Sequence, residues 1–288
     1  MRADNPAYGA LLVSCAALMF ASMGVLIRFA TYQLPNESVV FFRNLFGLLV
    51  LLPLVWQRGV SHSLNTDHLL LHLVRSLFGL AAMYCFFYAL AHLPLASAVL
   101  LNFTAPLFIP FIAMIWLKEL VSSRVVIAII IGFIGVLFVL KPGSGLYSTV
   151  ALIGLASGAF AAVAMVTLRR LSRTEPPFRV VVFYGIICTT ISTIPLLWSW
   201  QTPNVQVLLQ LAGAGTFATV GQYLLSKGYA YAPAAQIGPF TYIAVVFAAS
   251  YGWFFWQEIP DWISVLGTLL IVIAGVLAIR QRKVPVVV

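Results

Sequence analysis

The sequence predicts an all-α polytopic membrane protein, with ten transmembrane helices arranged as two inverted five-helix repeats. The chain has 288 residues, of which 62% are hydrophobic and 8% charged, and its mean hydropathy is +1.04. This composition excludes an ordinary soluble domain and indicates that lipid is the solvent. Stretches such as 125–140 are apolar on every side, which favours helices over the alternating strands of a membrane barrel.

Ten apolar segments appear when the chain is divided at prolines, asparagines, aspartates and charged clusters. A helix needs roughly 20 mostly apolar residues to cross a bilayer, so a chain of this length holds about ten spans and little else. The first segment is too long for a cleaved signal peptide and is predicted to be retained. The segments lie near 8–31, 38–56, 68–90, 95–117 and 124–140, and then near 148–171, 179–200, 206–231, 234–256 and 261–279.

Local signals support several of these boundaries. Asp67, Ser123 and Asp261 are of residue types that accept hydrogen bonds from the free amides at the start of a helix. Prolines, which disrupt a helix interior, stand in five of the predicted connections, at Pro35, Pro94, Pro142, Pro203 and Pro233.

The basic residues predict the orientation. With the N-terminus inside, 13 of the 16 Lys and Arg residues fall at cytoplasmic ends, and only Arg28, Arg43 and Lys141 fall outside. Positive residues of short loops stay on the cytoplasmic side, so both termini are predicted to be cytoplasmic. The net charge of +9 is therefore a topology signal, and nucleic acid is not expected as a partner.

The two halves of the chain resemble one another. Pro94 and Pro233 open corresponding segments, Glu119 and Glu258 follow them, and both pairs are separated by 139 residues. Each half holds five spans, an odd number, so the second copy must enter the membrane upside down, which is an architecture typical of transporters. The predicted units are 1–145 and 146–288. Val245 stands where the first half has Pro106, so a matching helix break in the second half is not predicted.

The acidic residues all map to termini or loops. Buried carboxylates are the usual proton carriers of coupled pumps, so their absence from the predicted spans favours facilitated diffusion over proton exchange. Glu119 and Glu258 have two interpretations: they form gates with basic partners, or they cap the helix that follows, and capping is favoured. No HExxH, G-x-S-x-G or P-loop motif is present, so no catalytic residue, metal or cofactor is predicted.

Several motifs carry a family resemblance. Leu93-Pro-Leu-Ala-Ser-Ala98 continues through Asn102 and Pro106 to Trp116-Leu-Lys-Glu119 and Gly135-Val-Leu137, and Arg75-Ser-Leu-Phe-Gly79 precedes them. The chain resembles the EamA-type repeat of the drug/metabolite transporter superfamily over essentially its whole length. The resemblance implies a bacterial inner-membrane transporter with two inverted bundles around a central cavity. It implies substrates such as amino acids, other metabolites or cationic drugs, while similar chains import vitamins, choline or nucleotide-like cofactors.

Polar and aromatic residues inside the spans are candidates for the cavity lining. Asn102 and Thr241 occupy equivalent positions of the two repeats. Arg43 and Arg75 lie inside the second and third spans, where a guanidinium costs about 2.5 to 3.5 kcal/mol unless it meets water, a carboxylate or a carbonyl. Either one binds a substrate carboxylate, or it snorkels to the nearer interface. The other candidates are Tyr84, Tyr88, Phe160, Gln222, Tyr223 and Tyr242, with Tyr184 as a further aromatic wall.

These observations predict a carrier, most simply an exporter or uniporter of amino acids or related amphipathic metabolites. An importer of a vitamin, choline or a nucleotide-like cofactor such as riboflavin or S-adenosylmethionine is the alternative, and a non-transporting membrane subunit is a more distant one. Gly154-x-x-x-Gly158 permits close helix approach, within the chain rather than in a homodimer, although a homodimer stays open.

Overall fold

The computed structural model describes residues 6–59, 64–117, 123–140, 146–171, 174–229, 231 and 238–279, and within these ranges the regular structure is helical. Each predicted span matches one helix or one interrupted helix. The first five spans are α1 (Pro6–Thr31), α2 (Asn36–Arg58), α3 (Leu69–His92), α4 with α5 (Leu95–Asn102 and Ala105–Leu117) and α6 (Ser123–Leu140). The next five are α7 (Leu146–Leu171), α8 with α9 (Pro177–Ser192 and Leu196–Ser199), α10 (Val205–Tyr229), a 3₁₀ segment with α11 (Gly238–Tyr242 and Ile243–Trp256) and α12 (Trp262–Ile279).

Four of the described helices have both the length and the hydropathy of a membrane span: Ala7–Thr31, Asn36–Gln57, Leu69–His92 and Thr149–Leu168. Further apolar helices are shorter, at 10 to 17 residues. The chain is thus a polytopic membrane protein whose described residues form helices and no strands.

The fourth span is broken at Phe103 and Thr104. Pro106 has no amide hydrogen, so it cannot donate to the Asn102 carbonyl four residues earlier. A matching irregularity was not predicted in the second half, but the described part of the ninth span starts with a 3₁₀ segment that ends at Tyr242, 139 residues after Phe103. The two rings meet with centroids 6.2 Å apart.

One predicted helix start needs correction. α3 begins at Leu69 with His68 in the N-cap position, so Asp67 stands one residue too early to cap it. Asp261 does directly precede α12, and its carboxylate accepts a hydrogen bond from the Ser264 hydroxyl at 2.6 Å.

Helices of the two halves pack against each other throughout the bundle. α1 packs along α10, α3 along α7, α6 along α12, α2 against α8 and α4 against α11. These pairs have the symmetry of a repeat. When each span is replaced by the equivalent span of the other half, every pair becomes either the same pair or another of the five. Very close approaches occur at glycines: a Cβ on Gly135 would lie 2.7 Å from the Gly267 carbonyl oxygen. Gly154 and Gly158 contact Leu101, so this motif packs within the chain, as predicted.

Candidate functional site

The two predicted arginines lie buried in the same region of the bundle. Arg43 on α2 is 8% exposed, and Arg75 on α3 is 9% exposed. Nη1 of Arg43 donates to the Asn44 amide oxygen at 2.8 Å, while the guanidinium of Arg75 stacks over the Tyr184 ring on α8, 4.4 Å from its centroid. Both guanidiniums interact electrostatically with Tyr184 and with the nearby Cys188. We call Arg43, Asn44, Arg75, Tyr184 and Cys188 the arginine cluster.

The cluster lies inside the bundle and not at its ends. We call the end where α1 begins the N-terminal face and the opposite end the far face; successive spans run in opposite directions. At 1.5 Å per residue, Arg43 is about 10 Å along α2 from the far face, and Arg75 is about 9 Å along α3 from the N-terminal face. Both side chains are enclosed by protein rather than directed along the lipid-facing surface, which is not the geometry of snorkelling.

Several buried donors of the arginine cluster have no hydrogen-bond acceptor among the described residues. Nε of Arg43, Nε of Arg75 and the Asn44 amide nitrogen are buried without a partner among the described residues. The hydroxyls of Ser76 and Tyr84, both on α3, are buried and unpartnered in the same way. Within the described part of the chain neither arginine has a carboxylate within ion-pair distance. Buried charge without a partner is expensive, so these donors favour an acceptor that the described residues do not supply.

Gly79 gives the cluster its close packing. It lies one helical turn after Arg75, and a Cβ at this position would lie 2.7 Å from Nη1 of Arg75 and 2.8 Å from Cε2 of Tyr184. Neither atom could stay in place beside a larger residue. The glycine of the Arg75-x-x-x-Gly79 motif therefore lets the guanidinium and the ring stack against α3.

The other predicted site residues of the first half lie at different depths. Tyr84 is half-buried and its carbonyl accepts a hydrogen bond from the Asn36 amide at 3.0 Å. Tyr88 is 36% exposed and stacks on His92 with centroids 4.3 Å apart, away from the arginine cluster. Asn102 ends α4, and its amide donates to the Ser157 hydroxyl of α7 at 3.1 Å, which is a hydrogen bond between the two halves.

The predicted residues of the second half are spread more widely. Phe160 packs near Phe78 with centroids 6.1 Å apart. On α10, Gln222 is half-buried, whereas Tyr223 is 53% exposed. Thr241 is half-buried, and Tyr242 is 5% exposed, with its ring packed against Gly275 so closely that no side chain would fit there. Of the ten candidates, Arg43 and Arg75 lie near Tyr184 and Cys188, and Tyr84 lies near Cys188. The others lie in different parts of the bundle.

An ion pair joins the two halves at the far face. Nη2 of Arg28 on α1 lies 2.6 Å from Oε1 of Glu258, and Oε2 of Glu258 accepts a hydrogen bond from the Leu95 amide at 2.9 Å. The Arg28 guanidinium also stacks over the Trp256 ring at 4.3 Å. Glu258 therefore caps α4, in the other half of the chain. The prediction that it caps the following helix is wrong, and the equivalent Glu119 lies outside the described residues.

A second tie between the halves lies at the N-terminal face. Glu175, which follows α7, is 6% exposed and accepts hydrogen bonds from Thr66 at 2.5 Å and from Arg179 at 2.7 Å. His72 Nε2 lies 3.9 Å away. Burial acts to raise the pKa of Glu175, but the hydrogen bonds from Thr66 and Arg179 and the charge of Arg179 outweigh it and hold the pKa below its usual value.

Sequence reasoning treated Glu175 as an ordinary loop residue. Its spacing of four residues from Arg179 was the available signal, because such pairs meet on one helix face. Its partner Thr66 lies 109 residues away in the sequence, and no local pattern points to it. A polar cavity of about 300 Å³ adjoins this tie and is lined by Asn65, Thr66, Asp67, His68, Thr174, Glu175 and Arg179.

Comparison with known proteins gives a consistent result. The model of the EamA-like transporter family matches residues 7–141 and, a second time, residues 148–280. A pseudopaline exporter of Pseudomonas aeruginosa is 34% identical over 278 residues, which cover 96% of this chain and 97% of the relative. A riboflavin transporter of Vibrio cholerae is 29% identical, with 94% and 92% covered, and an S-adenosylmethionine uptake transporter of Rickettsia bellii is 27% identical, with 90% and 89% covered.

A solved crystal structure supports the fold. It superposes with a TM-score of 0.66 over 93% of this chain and 96% of that chain, at 20% sequence identity. At this level of identity the likeness concerns the arrangement of the helices alone.

Proposed function

The chain belongs to the EamA-like transporter family, and on that premise we propose that it exports a small amphipathic metabolite that carries a carboxylate, such as an amino acid or a related compound. Transport of small organic solutes across a membrane follows from the family and its relatives. The nature of the solute, the direction and the mechanism are our proposal.

The arginine cluster is the observation that carries the choice of solute. Arg43 and Arg75 are buried without a carboxylate partner in the described residues. A solute carboxylate would accept hydrogen bonds from their unpartnered N–H groups. Tyr184 stacks beside Arg75 and offers an aromatic surface to an apolar part of the same solute. The site therefore suits an amphipathic molecule with a negatively charged end.

Alternating access accounts for the two ties between the halves. The exchange symmetry of the helix pairs and the double match of the family model support two inverted five-helix repeats, which we place at 1–145 and 146–288. The Arg28–Glu258 tie closes the far face, and the Thr66–Glu175 tie closes the N-terminal face. Each tie crosses between the repeats, so opening one while the other holds exposes the arginine cluster to one side at a time.

The relatives favour export. The relative at 34% identity is named an exporter, whereas the riboflavin and S-adenosylmethionine relatives are 29% and 27% identical. Import of a vitamin or a nucleotide-like cofactor is the second candidate, supported by those two. We place both termini in the cytoplasm and the chain in the bacterial inner membrane, on the charge bias of the loops. Export would then run from the N-terminal face to the far face.

We also propose uniport rather than proton exchange, and no catalytic activity. Glu175 and Glu258, the two carboxylates that tie the halves together, lie in connections at the ends of the bundle rather than inside a span. In liposomes, a pH gradient alone should therefore fail to drive the solute uphill. Uphill movement under such a gradient would contradict uniport.

The proposal is tested by uptake into liposomes that contain the purified protein. The labelled panel holds aromatic, aliphatic, acidic and basic amino acids, choline, riboflavin and S-adenosylmethionine. Saturable uptake of an amino acid that falls strongly in Arg75→Gln, but not in Arg170→Gln at an exposed position of α7, supports the proposed function. Uptake of riboflavin or S-adenosylmethionine without any amino acid would establish the importer instead.

A further inference from the structure

We propose that the arginine cluster binds a solute with two carboxylate groups, one for Arg43 and one for Arg75. This inference rests on the proposed function and narrows it, because an ordinary neutral amino acid has only one carboxylate. The expected solute class is an amphipathic amino acid or peptide-like compound with two acidic groups on different carbon atoms.

The charge of the cluster is the first argument. Arg43 and Arg75 are both buried and both charged, and neither has a carboxylate partner among the described residues. Binding one carboxylate would neutralise one guanidinium and leave the second uncompensated in a low-dielectric interior. Two carboxylates balance the site.

The hydrogen-bond inventory is the second argument. Among the described residues three buried nitrogens have no acceptor, namely Nε of Arg43, Nε of Arg75 and Nδ2 of Asn44. Nη2 of Arg43 meets the weak acceptor Sδ of Met23 at 4.0 Å. The amide oxygen of Asn44, which could have served as an acceptor, is already occupied by Arg43. The free hydroxyls of Ser76 and Tyr84 can donate as well. A carboxylate is acceptor-only and offers about four lone-pair sites, so two of them match this excess of donors better than one.

The placement of the arginines is the third argument. They sit on different helices, and α2 and α3 bring them in from opposite faces of the bundle, with Tyr184 interacting with both. Guanidiniums that come from two helices, one stacked on the Tyr184 ring and the other bonded to Asn44, do not converge on one small group as a bidentate clamp does. They suit two acidic groups held apart by a short organic skeleton, with the ring packed against that skeleton.

Two matched pairs of probes test the inference by calorimetric titration of the protein in nanodiscs. One pair is L-glutamate with L-glutamine, and the other is γ-glutamylphenylalanine with its C-terminal amide; in each pair only the first member has two carboxylates. The first member should bind about tenfold more tightly or better, the effect of one charge-assisted hydrogen bond. Arg43→Gln and Arg75→Gln should each remove most of this difference, and Arg170→Gln should preserve it. Equal binding within both pairs, tighter binding of the amides, or no binding of either two-carboxylate probe would overturn the inference.

Thermal stability separates a binding role from a structural one. If both arginines are uncompensated until a solute with two carboxylates binds, replacing them removes unfavourable buried charge from the ligand-free protein. The melting temperature of the double variant Arg43→Gln/Arg75→Gln should therefore equal or exceed that of the unaltered chain. A large fall in the melting temperature would mean that the guanidiniums serve packing and would overturn the inference. Uptake of amides as fast as acids in liposomes would reject the two-carboxylate site while leaving transport intact, whereas uptake of no panel member would reject the proposed function itself.

Discussion

The ion pair at the far face gives the most quantitative prediction. Arg28 and Glu258 meet at 2.6 Å with side chains 11% and 20% exposed, between the regimes of an exposed and a buried pair. Exposed pairs contribute up to about 1 kcal/mol, and hydrogen bonds to charged groups about 1.5 to 3 kcal/mol. We therefore expect Glu258→Gln to weaken the closure by about 2 kcal/mol, which is roughly a 30-fold larger open population. The substituted amide can still accept the hydrogen bond from Leu95, so the change isolates the charge.

Hydrogen exchange of the Leu95 amide measures this opening, because Glu258 is the acceptor of its hydrogen bond. The amide should exchange roughly 30-fold faster in Glu258→Gln and faster still in Glu258→Ala, which also removes the acceptor. Arg28→Gln should have a similar effect, and the double substitution should add little to either change. Fully additive effects of the two substitutions would show that the pair does not act as a unit and would refute the closure argument.

The remaining predictions concern packing and pH. Gly79→Ala should reduce transport strongly, because its Cβ would displace Arg75. The control Gly24→Ala should transport normally, because its Cβ meets only side-chain atoms at 3.6 Å or more. Equal activities of the two variants would contradict the packing described for the arginine cluster. Gly135→Ala should destabilise the α6–α12 contact by about 1 to 3 kcal/mol, measured as a lower melting temperature, and an unchanged value would refute the close approach. Glu175 has a pKa below its ordinary 4.5. Its ionised carboxylate therefore contributes fully to the stability of the folded protein above pH 4.5, and this contribution is lost as the pH falls through the lower value. The melting-temperature gap to Glu175→Gln should therefore be constant from pH 6 to 8 and shrink in acid, and a gap that shrinks near pH 7 would contradict this.

The spans could be predicted from the sequence because hydropathy is a local property. Each run of about 20 apolar residues must satisfy its own backbone in lipid, so composition alone places the helices. The repeat could be predicted from Pro94 and Pro233 for a similar reason. The spacing between equivalent residues of the two halves can be read from the sequence without knowing how the helices pack.

Interactions between the halves could not be predicted, because they join residues far apart in the sequence. Glu258 meets Arg28 across 230 residues, and nothing near either residue in the sequence indicates the partner. The break in the ninth span was missed for a different reason. An irregularity was expected to need a proline, but a 3₁₀ segment at Gly238–Tyr242 precedes the α-helix without a proline at the position equivalent to Pro106.

The candidate site shows the same division. Arg43 and Arg75 were recognisable because a guanidinium in an apolar span needs an explanation. The sequence left open whether they snorkel or bind a carboxylate, and burial decides against snorkelling. The roles of Asn44 and Cys188 depend on how α2, α3 and α8 pack, which no span-by-span interpretation contains.

Solute counterflow shows whether the protein carries its solute through the arginine cluster. Liposomes with the purified protein are loaded with an unlabelled carboxylate-bearing amino acid from the panel and then exposed to the labelled compound outside. We predict transient accumulation of label in the unaltered protein and in Arg170→Gln, and its loss in Arg43→Gln and Arg75→Gln, with all four proteins equally folded. Counterflow that persists in both arginine variants would contradict the account, because the solute would then be carried without the arginine cluster.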